Sequence, residues 1–170
     1  GMCRWVQAAT GMLSRPMPKR ATIRQFGAAM KHETYDVLRV TEDFIIKPID
    51  GFGDKDTLRL ALATEKPDIL FLFTDPRFFI WLFEMEDEIH QVCPIVWWHV
   101  WDNYPYPKFN KDWYESTDVI ATISKVTSDI VQYVTPDVWE QYIPHSVDTN
   151  VFKNIPKTDK LVKDLIDGNK

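Results

Sequence analysis

The chain has 170 residues, of which 45% are hydrophobic and 14% aromatic, and its formal net charge is −5. This composition predicts a folded domain with an aromatic-rich core and argues against a disordered chain. The negative charge argues against a nucleic-acid partner, because phosphate neutralisation needs a concentrated face of lysine and arginine. The two cysteines, Cys3 and Cys93, are too few for a disulfide framework, so we expect a reducing, cytoplasmic location. The longest uninterrupted apolar run, residues 78–83, is too short to cross a bilayer.

The first third of the chain has an irregular pattern. We predict a strand over residues 3–8, a loop over 10–18 and a helix over 21–30, followed by strand segments at 35–40 and 44–46. Asp54 or Asp56 can then cap a helix that runs towards Pro67.

Four β-rich runs follow Pro67, at residues 69–73, 95–98, 119–123 and 139–143. They begin about 20 to 26 residues apart, which is the pacing of β-α-β crossovers. Their continuous apolar character is typical of strands buried on both faces, so we predict an α/β fold with an open parallel sheet. Asp75, before Pro76, and Ser124 are predicted to cap the intervening helices. Residues 157–170 predict a one-sided helix that ends at Gly168.

The best candidate functional residue is His99, which lies where the second of these runs ends. In an open parallel sheet, ligands bind outside the carboxyl ends of the strands. A histidine there can equally be structural, satisfied by a backbone carbonyl. The loop that follows combines aromatic rings with amide and carboxylate groups, which suits a sugar ring with apolar faces and a hydroxyl rim. A loop that packs on its own domain is the alternative; the candidate binding residues in it are Asp102, Asn103, Tyr104 and Tyr106.

Two further positions have both a functional and a structural interpretation. Gly11, Ser14 and Arg15 follow the predicted first strand, and their amides and guanidinium can receive an anionic group or simply connect two elements. Ser124 can contact substrate in addition to capping its helix. His90, Cys93 and His99 have loose metal-ligand spacing, but no second cysteine pair accompanies them, so we expect no metal site.

The run from Tyr142 to Phe152 reads as a strand stopped by Pro144, a polar turn, and a short segment that Asp148 or Thr149 can cap. In combination with the preceding motifs it resembles the two-domain GT-B glycosyltransferases, especially the retaining family 4. His145 and Ser146 stand where that family usually has Asn and Gly. The residues that carry the resemblance are Pro67, Asp68, Ile69, His99, Thr117, Asp118, Ile120, Ser124, Ile143, Pro144, Val147, Asp148 and Phe152.

The resemblance implies that residues 1–152 are the Rossmann-like, acceptor-side N-terminal domain of a GT-B architecture, with helices on both faces of the sheet. Residues 153–170 are then a linker and helical tail towards a second domain that is missing from this chain. The implied reaction transfers a sugar from a nucleotide-diphosphate sugar to an acceptor with retained configuration, without metal or cofactor.

In that reaction His99 approaches the donor sugar, and the loops around Gly11 and Tyr104 place the acceptor. The chain alone is expected to show little or no turnover, and its exposed cleft face can form a homodimer. The alternative hypothesis is a non-catalytic α/β binding or interaction module.

Overall fold

The computed structural model describes residues 21–28, 36–156 and 160–168. The strand and loop predicted for residues 3–8 and 10–18 lie outside these ranges. The chain divides into two compact units, one of Pro16–His145 and one that contains Ser146–Lys170 together with Gly1–Arg15.

The larger unit begins with a three-stranded sheet of β1 (Ile23–Ala28), β2 (Leu38–Arg39) and β3 (Phe44–Ile49), in the order β1-β3-β2. β1 runs parallel to β3 and pairs with it along its whole length, from Ile23 opposite Phe44 to Ala28 opposite Ile49. The helix predicted over residues 21–30 is therefore wrong, because pairing with β3 outweighs the local helical preference. β3 also runs past the predicted end at residue 46 and includes Pro48.

Helix α1 (Lys55–Glu65) connects β3 to the next sheet. The Asp54 carboxylate accepts a hydrogen bond from the Thr57 amide at 2.8 Å, which confirms Asp54 as the cap. The helix ends at Lys66, whose backbone is left-handed with φ 44°, directly before Pro67. Leu58 and Leu62 turn into the core.

The second sheet contains β4 (Leu70–Thr74), β5 (Ile95–His99), β6 (Val119–Thr122) and β7 (Glu140–Tyr142) in that order. All three neighbouring pairs are parallel. The four predicted strands are confirmed with ends shifted by one residue at most. Sheet order follows chain order, as expected when each strand is joined to the next by a crossover on the sheet.

Short helices flank this parallel sheet. After β4 come a 3₁₀ turn (Pro76–Phe78), α2 (Ile80–Phe83) and α3 (Glu86–His90); after β5 come a second 3₁₀ turn (Lys108–Asn110) and α4 (Lys111–Glu115). The helix between β6 and β7 is α5 (Lys125–Val134). Asp75 and Ser124 cap their segments as predicted, through the amides of Arg77 and Thr127.

The main core covers one face of the parallel sheet. Along β5 the burial alternates, so that Ile95, Trp97 and His99 are buried while Val96 and Trp98 are only half-buried. Phe71, on the same side as Val96, is 51% exposed, so the expected burial of the strands on both faces is not reached there. The buried residues of this core are Leu58, Leu62, Leu72, Leu82, Phe83, Met85, Ile89, Cys93, Ile95, Trp97, Trp101, Tyr114, Ile120, Ile130, Val131 and Val134.

In the smaller unit, Asp148 makes a tight turn. Its carboxylate accepts from the Asn150 amide at 2.8 Å, and its carbonyl accepts from the amides of Val151 and Phe152. Helix α6 (Lys160–Asp167) follows and gives way to Gly168, as predicted for the tail.

Candidate functional site at the carboxyl edge of the parallel sheet

The predicted site residues His99, Asp102–Tyr106 and Ser124 follow neighbouring parallel strands. Thr74, His99 and Thr122 occupy one row across β4, β5 and β6. The segments after these strands therefore emerge at one edge of the sheet, where open α/β sheets bind ligands. The structure thus brings these three parts of the prediction to a common edge, whereas Gly11, Ser14 and Arg15 lie outside the described residues.

His99 is fully buried at this edge. Its Nε2 lies 2.8 Å from the Tyr114 hydroxyl, and its ring packs 4.2 Å from the Trp97 ring and 6.4 Å from the Trp101 ring. The alternation of β5 explains this position, because it turns Trp97 and His99 to the covered face of the sheet. In this conformation His99 is a hydrogen-bonded core residue, and its catalytic role remains a prediction.

Tyr114 and Asn110 extend this buried polar contact. Both are fully buried, and the Asn110 amide donates to the Tyr114 hydroxyl at 3.4 Å. Burial raises the pKa of Tyr114 to about 12, so the phenol stays neutral at physiological pH. Sequence reasoning missed both residues. Their spacing of four positions, which places side chains on one face of a helical turn, is the signal that pairs them.

Trp101 anchors the loop that follows β5. It is only 9% exposed, its carbonyl accepts from the Thr127 hydroxyl at 2.8 Å, and its indole N–H donates to the Asn103 carbonyl at 3.2 Å. The Arg77 guanidinium lies 5.8 Å from the centre of its ring. The loop is therefore tied to the start of α5 and to the segment after β4.

The rest of the loop faces solvent. Asp102, Asn103 and Tyr104 are exposed, and Tyr106 is half-buried. The rings of Tyr104 and Tyr106 lie 5.0 Å apart, and Tyr106 contacts Tyr133 of α5 at 4.5 Å. A hydrogen bond with Tyr104 raises the pKa of Tyr106, with burial as the second cause. Tyr133 was not predicted, because nothing local in the sequence connects it with the loop.

Ser124 has a structural role. Its hydroxyl accepts from the Thr127 amide at 3.1 Å and lies 2.9 Å from the Thr127 hydroxyl, at the N-terminus of α5. Among the described residues, no hydrogen bond links Ser124 to His99 or to the loop from Asp102 to Tyr106. A substrate contact by Ser124 remains a prediction.

The residues with loose metal-ligand spacing have separate partners. His90 Nε2 lies 3.1 Å from an Asp118 carboxylate oxygen, and Cys93 is buried in the core, where burial raises the pKa of its thiol. Within the described ranges, no group of three or more His, Cys, Asp or Glu side chains is arranged to hold a metal ion.

No helix in the described part of the chain combines the length and the apolar character needed to span a membrane. Comparisons of the chain with models of known protein families, with curated proteins and with solved structures give no match. Any functional assignment therefore depends on the residues themselves and on their arrangement at this edge.

Proposed function

We propose that this chain is the acceptor-side, Rossmann-like domain of a retaining, family 4-like glycosyltransferase of GT-B architecture, acting in the cytoplasm. It moves a sugar from a nucleotide-diphosphate sugar to an acceptor. The observation that carries the proposal is the meeting of His99, the polar and aromatic loop, and Ser124 at the carboxyl edge of one parallel sheet.

The loop has the chemistry of a sugar site. Tyr104 and Tyr106 present ring surface to the apolar C–H face of a pyranose. Asp102 and Asn103, both exposed, offer a carboxylate and an amide to sugar hydroxyls. Because Trp101 fixes the loop to the domain, these groups are positioned before substrate arrives, and catalysis by positioning is the mechanism that such a site serves.

His99 hydrogen-bonds the transferring sugar near its anomeric centre in this proposal. The rings of Trp101 and Tyr114 pack beside its imidazole, so substrate reaches it only after these two side chains turn aside.

A second domain supplies the nucleotide site in this proposal. The turn at Asp148 marks the exit from the first domain, and residues 153–170 form the linker and helical tail. Gly11, Ser14 and Arg15 contact the acceptor and the donor phosphate, and no metal or cofactor takes part. Without the second domain the chain is expected to have little turnover.

A non-catalytic binding module is the second candidate, and one observation favours it. His99 is fully buried, and its Nε2 already faces the Tyr114 hydroxyl at 2.8 Å, which is the arrangement of a structural histidine. Such a module can pair with a second copy through its exposed cleft face, but a homodimer also fits a glycosyltransferase domain without its partner. Oligomeric state therefore does not separate the two functions.

The test begins with the coding sequence downstream of Lys170, which is searched for a second Rossmann-like segment with paired glutamates. The longer protein is then assayed for nucleotide diphosphate release from UDP-glucose, UDP-galactose, UDP-N-acetylglucosamine and GDP-mannose. We expect release by the longer protein and almost none by residues 1–170. A stop codon at Lys170, or a longer protein that neither binds nor cleaves any donor, contradicts the proposal and favours the binding module.

His99→Ala in the longer protein tests the catalytic role. We expect turnover to fall by about 100-fold, which is the order of loss when one transition-state hydrogen bond is removed, while the far-UV circular dichroism spectrum keeps the shape of the folded domain. The control is Trp139→Ala, which replaces a 69% exposed tryptophan directly before β7, away from the carboxyl edge of the sheet. A near-normal rate for His99→Ala removes His99 from the mechanism.

A further inference from the structure

Three tyrosine side chains from two separate elements form a continuous row on the surface. The ring centroids of Tyr104 and Tyr106 are 5.0 Å apart with planes tilted by 36°, and those of Tyr106 and Tyr133 are 4.5 Å apart with a tilt of 49°. Tyr104 is 69% exposed and Tyr133 is 57% exposed. We call Tyr104, Tyr106 and Tyr133 the tyrosine row.

The two elements that carry the row are both fixed to the domain. Tyr133 belongs to α5, which is packed on the domain through the buried side chains of Ile130, Val131 and Val134. Tyr104 and Tyr106 follow Trp101, which is hydrogen-bonded to the hydroxyl of Thr127 on the same helix. The rings are therefore held in place before any ligand binds, which reduces the conformational entropy lost on binding.

Charges of both signs lie beside the row. The Lys108 ammonium is 5.8 Å from the centre of the Tyr133 ring, and the exposed Asp129 lies one helical turn before Tyr133 on α5. One cation and one anion do not make the positive surface that a polyanion such as nucleic acid requires. They do offer a donor and an acceptor to an uncharged ligand with many hydroxyl groups.

We infer that the tyrosine row binds a neutral oligosaccharide, with sugar rings lying against the exposed surfaces of Tyr104 and Tyr133 at its two ends. Exposed aromatic rings match the apolar faces of pyranoses, and the phenol hydroxyls, Lys108 and Asp129 match their hydroxyl rim. Insofar as it rests on the proposed glycosyl transfer, the inference identifies the acceptor as a glycan of two or more sugar units rather than a lipid or a protein side chain.

The test is a titration of the 170-residue chain, labelled with ¹³C in its tyrosine rings, with maltohexaose, cellohexaose and chitohexaose. The chain has six tyrosines, so the ring resonances can be assigned by single substitutions. We expect at least one of these sugars to shift the signals of the tyrosine row and to leave those of buried Tyr114 and of Tyr142 in place. A heparin hexasaccharide is the anionic comparison.

Matched variants separate ring stacking from a general surface effect. Tyr133→Ala should raise the dissociation constant about three- to tenfold, the range expected for loss of one aromatic contact. Tyr133→Phe keeps the ring and loses only the hydroxyl, so it should weaken binding less than Tyr133→Ala does. Tyr142→Ala, which removes an exposed tyrosine outside the row, should have no effect.

The inference is overturned if none of the neutral sugars shifts the row at millimolar concentration, if the heparin fragment binds more tightly than they do, or if Tyr133→Ala binds like the wild type. These results are independent of donor cleavage. Sugar binding by the 170-residue chain, together with no nucleotide diphosphate release by the longer protein, contradicts the proposed function but supports the tyrosine row as a sugar site. Release by the longer protein without sugar binding to the row does the reverse.

Discussion

Replacing Tyr114 with Phe removes one oxygen atom from the centre of the buried polar contact behind β5. The ring that packs 5.7 Å from Trp97 and 5.1 Å from His99 remains. The substitution therefore tests the hydrogen bond between the phenol and His99 with little change in packing.

The size of the effect follows from the two contacts of the hydroxyl. The contact with His99 Nε2, at 2.8 Å, has good length, whereas the Asn110 amide at 3.4 Å is near the limit and contributes little. A buried group that loses its hydrogen-bond partner costs about 1–3 kcal/mol. We expect Tyr114→Phe to lower the free energy of unfolding by about 1–2 kcal/mol, mainly through His99.

Urea unfolding, followed by near-UV circular dichroism, measures this loss through the aromatic cluster that contains Trp97. Tyr133→Phe is the matched control, because Tyr133 is 57% exposed and its hydroxyl should matter by less than about 0.5 kcal/mol. If Tyr114→Phe is as stable as this control, the hydrogen bond does not hold His99 in the core, and the structural explanation of its burial fails.

Three other outcomes are expected. Burial raises the pKa of Tyr114 from 10 to about 12, so Tyr114 stabilises the fold below pH 10 and loses about 2–3 kcal/mol of that contribution as the pH rises to 12. Between pH 10 and 12 the urea midpoint should therefore fall more steeply for the wild type than for Tyr114→Phe. Parallel curves for the two proteins contradict this. Ser124→Ala should cost about 1 kcal/mol by removing the cap of α5, and Ser124→Asp should restore most of it; equal stability of all three proteins rules out the cap. A hydrogen bond from the Lys47 ammonium holds the pKa of Glu65 below its usual 4.5, so this carboxylate stabilises the fold above that pH and the contribution is lost as the pH falls through the lowered value. On acidification, Glu65→Gln should therefore lose less free energy of unfolding than the wild type, as measured by urea titrations. Equal losses for the two proteins exclude the ion pair.

Local sequence patterns were sufficient to locate the parallel sheet. Apolar runs at regular spacing predicted all four of its strands, and Asp54, Asp75 and Ser124 predicted where helical segments begin, because capping depends on one side chain and the next few amides. The same reasoning failed over residues 21–30. There the strand Ile23–Ala28 depends on its partner Phe44–Ile49, which is distant in sequence.

The candidate site also combines features that local sequence predicts with features that depend on tertiary packing. The sequence determined by itself that His99 ends a strand and that an aromatic loop follows, because strand ends and loop composition are local properties. Only the tertiary structure decided that His99 faces the covered side of the sheet, against Tyr114, and that Tyr133 joins Tyr104 and Tyr106 on the surface. Which face of a strand is covered, and which distant side chains meet, depends on how helices pack on the sheet, and that packing is set by the whole chain.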